Sequence, residues 1–246
     1  MLPLKTHEPL IAFTADIDWA PDEAIFDLAA IFAEYDVKCT FFCTHQTRTL
    51  EELDQQQIEL AVHPNYNPLL NGTGEGDHHS VLREIMDIVP GAKGVRSHSM
   101  TQSTPLLDAW EKAGLWYDAN HFLPYQTDIG PYDLWNGMVR FPYHWEDDIH
   151  FMYNRSFDDV GVKLSACKYF IADFHPIHTF LNTPNQAFYE QHKADYHNAE
   201  QLKKHRNTTE AGARDALRNM LGQFKKLNLQ SRTLAEWTKE LKPELT

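Results

Sequence analysis

The chain has 246 residues, of which 42% are hydrophobic, 12% aromatic and 23% charged, as in an ordinary globular protein. This composition excludes the disordered, collagen-like and membrane-spanning classes. The formal net charge of −13 makes nucleic acid an unsuitable partner, because phosphate contacts require a basic face.

Features of the termini and of the cysteines predict a cytoplasmic protein. The first residues, "MLPLKTHEPLIAF", contain no apolar stretch long enough for a signal peptide, and no later run approaches a membrane span. The three cysteines are odd in number and lack CxxC spacing, and each lies in an apolar run. We therefore expect buried thiols in a reducing compartment, at Cys39, Cys43 and Cys167.

Strands and helices alternate along the chain. Apolar, β-branched and aromatic runs predict strands at "LIAFTADID", "VKCTFFCT", "IELAVH", "GVRSHS", "WYDAN", "GMVRFPYHW" and "KYFIADFH". Helical spacing predicts helices at "APDEAIFDLAAIFAEYD" with Pro21 as its first residue, "LEELDQQQ", "SVLREIMDIV", "TPLLDAWEKAG", "EAGARDALRNMLGQFKKL" and "SRTLAEWTKEL". This order predicts an α/β fold with a parallel sheet, either open or closed into a barrel, followed by a mostly helical C-terminal segment.

Polar side chains recur where the predicted strands end. In parallel α/β folds the carboxyl ends of the strands share one mouth, so residues that are distant in sequence converge there. The residues placed at such ends are Asp16, Asp18, His63, Arg96, His98 and His175.

The first strand ends in two carboxylates. Side chains at i and i+2 of a strand face the same way, so Asp16 and Asp18 are predicted to point together. Two unpaired carboxylates this close repel each other, and a divalent cation or a basic side chain would remove that repulsion. The alternative is that Asp18 caps the next helix, which the position of Pro21 disfavours.

The other strand-end residues have chemistry that suits a catalytic site. His63 is a metal ligand or a hydrogen-bonded structural histidine, and Arg96 could hold a carboxylate in its charged form. His98 could be a ligand, a substrate contact or a polar core residue. His175 precedes Pro176 at a strand end and suits a general acid, while His178 falls in the following loop.

The order of these motifs, from Thr14 to about His178, resembles the polysaccharide deacetylase family, carbohydrate esterase family 4. "TADID" is similar to the Asp-x-Asp version of the family's first motif. The resemblance implies one catalytic domain over residues 1–246, folded as an irregular (β/α) barrel, and a divalent metal, best Zn²⁺. It also implies that Asp16 is the general base, Asp18 and His63 are metal ligands, Arg96 holds Asp16, and His175 is the general acid.

The third metal ligand departs from the family pattern. The family's second motif has histidines at i and i+4, whereas "HPNYN" has Asn67 at i+4. A histidine lost here and gained at His98, where the family has proline, favours His98 as the ligand over Asn67. "DIGPYDLW" loosely resembles the fourth motif and places Asp133 and Trp135 near the late histidine. Residues expected to contact the substrate are Asn67, Trp135 and His178.

The implied activity is metal-dependent hydrolysis of an acetyl group, as an N-acetyl amide or an O-acetyl ester, on a sugar or glycan precursor. One alternative is a sugar-binding protein that has kept the fold and lost the chemistry. Another is a related hydrolase of cyclic amides or imides. The expected partner is therefore a small-molecule or glycan substrate, with no nucleic acid and no membrane span. The aromatic middle of the chain offers rings for sugars or for the core, at Trp116, Tyr125, Tyr132, Trp135, Tyr143 and Trp145.

Overall fold

The computed structural model describes residues 8–127 and 129–245. The start of the stretch inspected for a signal peptide and the first residue of "DIGPYDLW" lie outside these residues. The strands of the described part, β1 to β9, are Leu10–Asp16, Cys39–Cys43, Ile58–Val62, Gly94–Val95, Tyr117–Phe122, Tyr132–Asp133, Val139–Tyr143, Trp145–Glu146 and Tyr169–Phe174.

Helices follow most of the strands and fill the C-terminal part. Helices α1 to α11 are Asp22–Glu34, Arg48–Glu52, Asn67–Leu70, His78–Ile88, Thr104–Lys112, Asp147–Met152, Pro176–Leu181, Gln186–His192, Ala199–His205, Ala213–Lys226 and Leu234–Leu241. Short 3₁₀ turns cover His98–Met100, Leu164–Ala166 and Lys193–Asp195. None of the helices in the described ranges has the length and apolar character needed to cross a bilayer.

The strands form one sheet in the order β6-β7-β5-β4-β3-β2-β1-β9-β8, parallel except where β6 meets β7. The sheet is not closed, since its hydrogen-bonded order ends at β6 and β8. Only His144 separates β7 from β8, however, and its backbone N–H donates to the Ile171 carbonyl of β9 at 2.9 Å. One stretch of chain, residues 139–146, therefore lies beside β5 at its start and beside β9 at its end.

Strand alternation gives the curved sheet two apolar faces. The inner face carries Leu10 and Ala12 of β1 with their counterparts on the other strands, and the outer face carries Ile11, Phe13 and Ala15 under the helices. Asp16 continues the inner-facing series of β1 at its carboxyl end. The strand pattern therefore aims Asp16 at the mouth of the sheet.

Most predicted elements are present, with local differences at their ends. Helix α1 begins at Asp22, so Pro21 is its N-cap rather than its first residue. The predicted strand "GVRSHS" is reduced to Gly94–Val95, because His98–Met100 turns as a 3₁₀ helix in which Ser99 has a φ of 56°. The predicted helix "LEELDQQQ" is shifted to Arg48–Glu52. All three cysteines are buried, as expected.

The C-terminal helices cover two different parts of the sheet. Helix α10 packs Leu217, Leu221 and Phe224 into the outer core. Helix α11 places Leu234, Trp237 and Leu241 in the inner core, at the amino ends of the strands. The α/β prediction with a mostly helical C-terminal segment is thus confirmed, with the sheet left open between β6 and β8.

Candidate active site

The carboxyl ends of β1, β3, β4 and β9 bring the predicted polar residues to one mouth. Asp16, His63, Arg96 and His175 are all buried there, although they come from four separate parts of the sequence. Each lies at or directly after the last residue of its strand. This convergence is the arrangement that the strand-end pattern predicts.

Asp18 reaches the mouth through a turn rather than along the strand. Strand β1 ends at Asp16, and Asp18 and Trp19 both adopt left-handed backbone conformations, with φ of 38° and 55°. Such conformations are costly for residues other than glycine and persist where surrounding contacts fix them. The turn directs the Asp18 carboxylate towards His63 and His98.

Asp18, His63 and His98 form a compact set of possible metal ligands. Asp18 Oδ1 lies 3.2 Å from His63 Nε2 and 3.3 Å from His98 Nδ1, and the two nitrogens are 3.4 Å apart. Tetrahedral zinc with bonds of about 2.0–2.1 Å separates its ligand atoms by about 3.3–3.4 Å. The three atoms therefore fit one face of a zinc tetrahedron and leave the fourth position for water or substrate.

The electrostatics of this cluster favour a charged carboxylate. Burial raises the pKa of Asp18, but the hydrogen bonds and charges of His63, His98 and His175 outweigh it and hold that pKa well below its usual range. Burial lowers the pKa of His63, and the charges of Asp16 and Asp18 reverse this, leaving it above its ordinary value. The Asp18 carboxylate and the neighbouring histidines thus attract each other strongly. A bound cation would replace the charge of the histidines beside Asp18.

His98 rather than Asn67 completes the cluster. His98 lies in the 3₁₀ turn after β4, and its backbone N–H donates to the Pro64 carbonyl at 3.0 Å. Asn67 lies at the start of α3, where its side-chain amide donates to Ser99 Oγ at 3.0 Å. Asn67 therefore contacts the turn that carries His98 through Ser99, whereas His98 itself lies 3.3–3.4 Å from the ligand atoms of Asp18 and His63.

Arg96 is buried between two carboxylates and two aromatic rings. Its guanidinium donates to Asp16 Oδ1 at 2.9 Å and also to Asp173, and it lies 4.4 Å from the Phe42 ring centroid and 4.2 Å from that of Tyr143. Burial raises the pKa of Asp173 to about 7; Arg96 opposes this increase and Asp16 adds to it. One arginine thus fixes Asp16 while sharing its charge with a second acid.

His175 is oriented by Asp147. The Nδ1 of His175 lies 2.7 Å from Asp147 Oδ1, and its backbone N–H donates to Asp147 Oδ2 at 2.9 Å. This leaves Nε2 facing the site, 3.8 Å from Asp18 Oδ2. Burial lowers the pKa of His175, but the charges of Asp147, Asp148 and Asp18 raise it well above its ordinary value.

His175 also belongs to two further groups of possible ligand atoms, each with two carboxyl groups that suit a metal less well than Asp18 does. Asp16 and Asp173 already share Arg96. Glu146 and Asp148 lie in the second grouping, where burial and mutual repulsion raise the pKa of Glu146 well above its usual range and burial raises that of Asp148. Carboxyl groups that tend to hold their protons are weaker metal ligands than Asp18.

Two residues of the site, Asp147 and Asp173, were missed by the sequence analysis. Asp173 lies two residues before His175 on the same face of β9, so strand alternation contained the signal. Asp147 belongs to "HWEDD", in which three acids directly follow the end of the predicted strand "GMVRFPYHW". The strand-end pattern therefore contains a signal for both residues.

Of the expected substrate contacts, Trp135 lies away from the mouth of the sheet and His178 lies buried beside His175. Trp135 follows β6, which pairs with the start of β7 at the amino ends of the parallel strands, and 65% of its surface is exposed. Asp133 beside it pairs with Lys242 at 2.9 Å. His178 is buried on α7, edge-on to the ring of His175 with centroids 5.6 Å apart. The loose match of "DIGPYDLW" accounts for the position of Trp135, and the loop predicted at His178 is instead helix α7, which begins at Pro176.

Comparisons with known proteins identify the family of this chain. A family model described as WbmS-like polysaccharide deacetylase matches residues 13–193. A protein of known structure from Bordetella bronchiseptica, named as a candidate polysaccharide deacetylase involved in O-antigen biosynthesis, is 36% identical, with a TM-score of 0.81. That match covers 86% of this chain and 89% of the other. No curated protein matched the chain.

More distant structures share the fold alone. The peptidoglycan N-acetylglucosamine deacetylase Bc1960 is 15% identical, with 95% of this chain and 88% of that chain covered and a TM-score of 0.54. A pseudoenzyme of carbohydrate esterase family 4 from Bacillus anthracis is 12% identical, with coverage of 95% and 66% and a TM-score of 0.51. The family match and the Bordetella structure place this chain in the polysaccharide deacetylase family.

Proposed function

We propose that the protein removes an N-acetyl group from a sugar of a surface-glycan precursor, with a divalent metal, best Zn²⁺, held by Asp18, His63 and His98. The observation that carries this proposal is the near-equilateral triangle of the three ligand atoms, with edges of 3.2–3.4 Å, beside Asp16 and His175. The glycan class is suggested by the Bordetella relative, which is named for O-antigen biosynthesis.

The metal, when bound, supplies Lewis-acid polarisation of the acetyl carbonyl and acidification of water. Asp16 would take the proton of the attacking water. Its Oδ1 is held by Arg96, while its Oδ2 lies 3.8 Å from His63 Nδ1 and is the oxygen left for the water. Arg96 keeps this carboxylate in place during the transfer.

His175 would complete the reaction as general acid. Attack forms a new C–O bond and the C–N bond then breaks, so the departing sugar nitrogen needs a proton. Asp147 holds Nδ1 of His175, and the raised pKa of the imidazole keeps Nε2 protonated near neutral pH. The products are acetate and the free amino sugar.

The test is acetate release from N-acetyl and O-acetyl sugars, free and attached to precursor carriers, by zinc-loaded protein. We expect release from N-acetyl sugars and a loss of about 100-fold or more in Asp16→Asn, as for removal of a general base. Asp133→Asn is the matched control, because that carboxylate is exposed and pairs with Lys242 away from the site.

Three results would contradict the proposal. A wild-type protein that binds no metal from a replete buffer excludes the metal-dependent reaction. Binding of an N-acetyl sugar without acetate release identifies a sugar-binding protein instead. Hydrolysis of cyclic amides or imides with no action on the sugars would place the activity with that hydrolase class.

A further inference from the structure

A segment near the C-terminus, residues 183–206, leaves the fold after α7 and returns before α10. It contains α8 and α9. Its base is closed by two asparagines: Asn182 Nδ2 donates to the Asn207 carbonyl at 3.2 Å, and Asn207 Nδ2 donates to the Asn182 carbonyl at 3.0 Å. The segment is therefore fixed at both ends and extends as a unit.

The extended part of this segment reaches the active site at two points. The Tyr189 ring packs edge-on against His178, with centroids 4.7 Å apart. The Tyr196 hydroxyl donates a hydrogen bond to the backbone carbonyl of Asp18 at 2.5 Å. The Asp18 carbonyl can only accept, so the phenol O–H is the donor in this bond.

The accepting carbonyl belongs to the strained turn. Asp18 and Trp19 are consecutive left-handed residues without glycine, a backbone conformation that is unfavourable for both. Trp19 N–H donates to Thr44 Oγ1 at 3.0 Å, and Ala20 N–H donates to the Ile17 carbonyl at 2.8 Å. The bond from Tyr196 acts on Asp18 itself, from a position 178 residues away in the sequence.

We propose that Tyr196 is a positioning residue for the metal site: it holds the Asp18 turn in the conformation in which the carboxylate meets His63 and His98. This inference rests on the proposed function, because it concerns the same ligand set. Without the hydroxyl, the turn relaxes towards unstrained backbone and the Asp18 carboxylate leaves the triangle for part of the time. The metal affinity falls in proportion to the fraction of time so lost.

The experiment compares Tyr196→Phe with Tyr189→Phe, a matched loss of a hydroxyl from the same segment. Zinc affinity is measured by competition with a chromophoric chelator on the full chain, and the cobalt-substituted visible spectrum reports the coordination geometry. We expect Tyr196→Phe to bind zinc about 5- to 10-fold more weakly, as for loss of one buried hydrogen bond. It should also have an altered cobalt spectrum, whereas Tyr189→Phe should stay within about twofold of wild type.

A purely structural role predicts something different. It would lower the melting temperature of the metal-free protein in Tyr196→Phe while leaving the zinc affinity and cobalt spectrum unchanged, and that result overturns the proposal. Wild-type zinc binding without acetate release would refute the proposed function and leave the role of Tyr196 intact. A wild-type protein that binds no zinc would refute both.

Discussion

At the scale of single residues, the site depends on one buried arginine that pairs with two acids. Arg96 is 1% exposed and contacts Asp16, Asp173 and the hydroxyl of Thr14, while Thr14 Oγ1 also bonds Asp173 at 2.6 Å. With the Ala119 carbonyl, which accepts from Arg96 Nε at 3.0 Å, the guanidinium has four partners, one more than the three N–H donors of an ammonium group could satisfy. Because burial raises the pKa of Asp173 to about 7, this acid is only partly ionised near neutral pH, and Arg96 pairs with Asp16 and with the ionised fraction of Asp173.

The proposed third ligand, His98, gives a prediction at the same scale. His98→Ala removes a nitrogen that lies 3.3 Å from Asp18 Oδ1, so we expect zinc affinity to fall by at least about 100-fold. Asn67→Ala removes only a hydrogen bond to Ser99 and should change the affinity by less than about threefold. Metal content after gel filtration and chelator competition measure both, and the reverse ranking would assign the ligand to Asn67.

At the scale of elements, the sequence predicted the positions of those site residues that lie at the ends of strands. Asp16, His63 and His175 end strands or directly follow them, so period-2 alternation and proline punctuation locate them. Asp18 and His98 reach the site through turns with φ of 38° at Asp18 and 56° at Ser99, and no glycine marks either turn. The convergence could therefore be predicted, but the geometry that unites the three ligand atoms could not.

Helix α7 places a neutral histidine, His178, directly behind His175, the proposed general acid. Burial lowers the pKa of His178 to about 4, with Asp147 and Asp18 opposing this and His175 adding to it. The unfolded chain would bind this proton near pH 6.5, so between about pH 6.5 and 4 the unfolded state holds more protons than the folded state. Folding stability from this group is therefore complete above pH 6.5 and declines as the pH falls.

His178→Gln should remove this acid sensitivity. We expect the free energy of unfolding of the metal-free wild type to fall by about 2–3 kcal/mol more than that of the variant between pH 7 and about pH 4.5. Urea unfolding at several pH values measures the difference in slope, whatever the variant loses in packing at neutral pH. His79→Gln, at an exposed position of α4, is the control, and parallel slopes for all three proteins would contradict the assignment.

At the scale of the whole molecule, residues of different character cover the two ends of the sheet's inner face. The carboxyl ends hold the charged site. The amino ends are covered by α11, whose Trp237 is 1% exposed within the inner core. Glu59 of β3 fixes the helix by accepting from the Ala235 N–H at 3.0 Å and from the Tyr117 hydroxyl at 2.7 Å. The C-terminal helix therefore covers the inner core on the side opposite the candidate site.

Truncation of Trp237 in α11 should destabilise the whole fold rather than the site alone. Trp237→Ala leaves a large cavity in the inner core, so we expect the free energy of unfolding to fall by about 3–5 kcal/mol. Trp135→Ala removes the same side chain from a position that is 65% exposed, and we expect a change within about 0.5 kcal/mol. Denaturant unfolding of the two variants and wild type gives both values. Because Trp237 and the ligands lie at opposite ends of the strands, the folded fraction of Trp237→Ala should bind zinc within about threefold of wild type; a much larger loss would show that α11 also shapes the metal site.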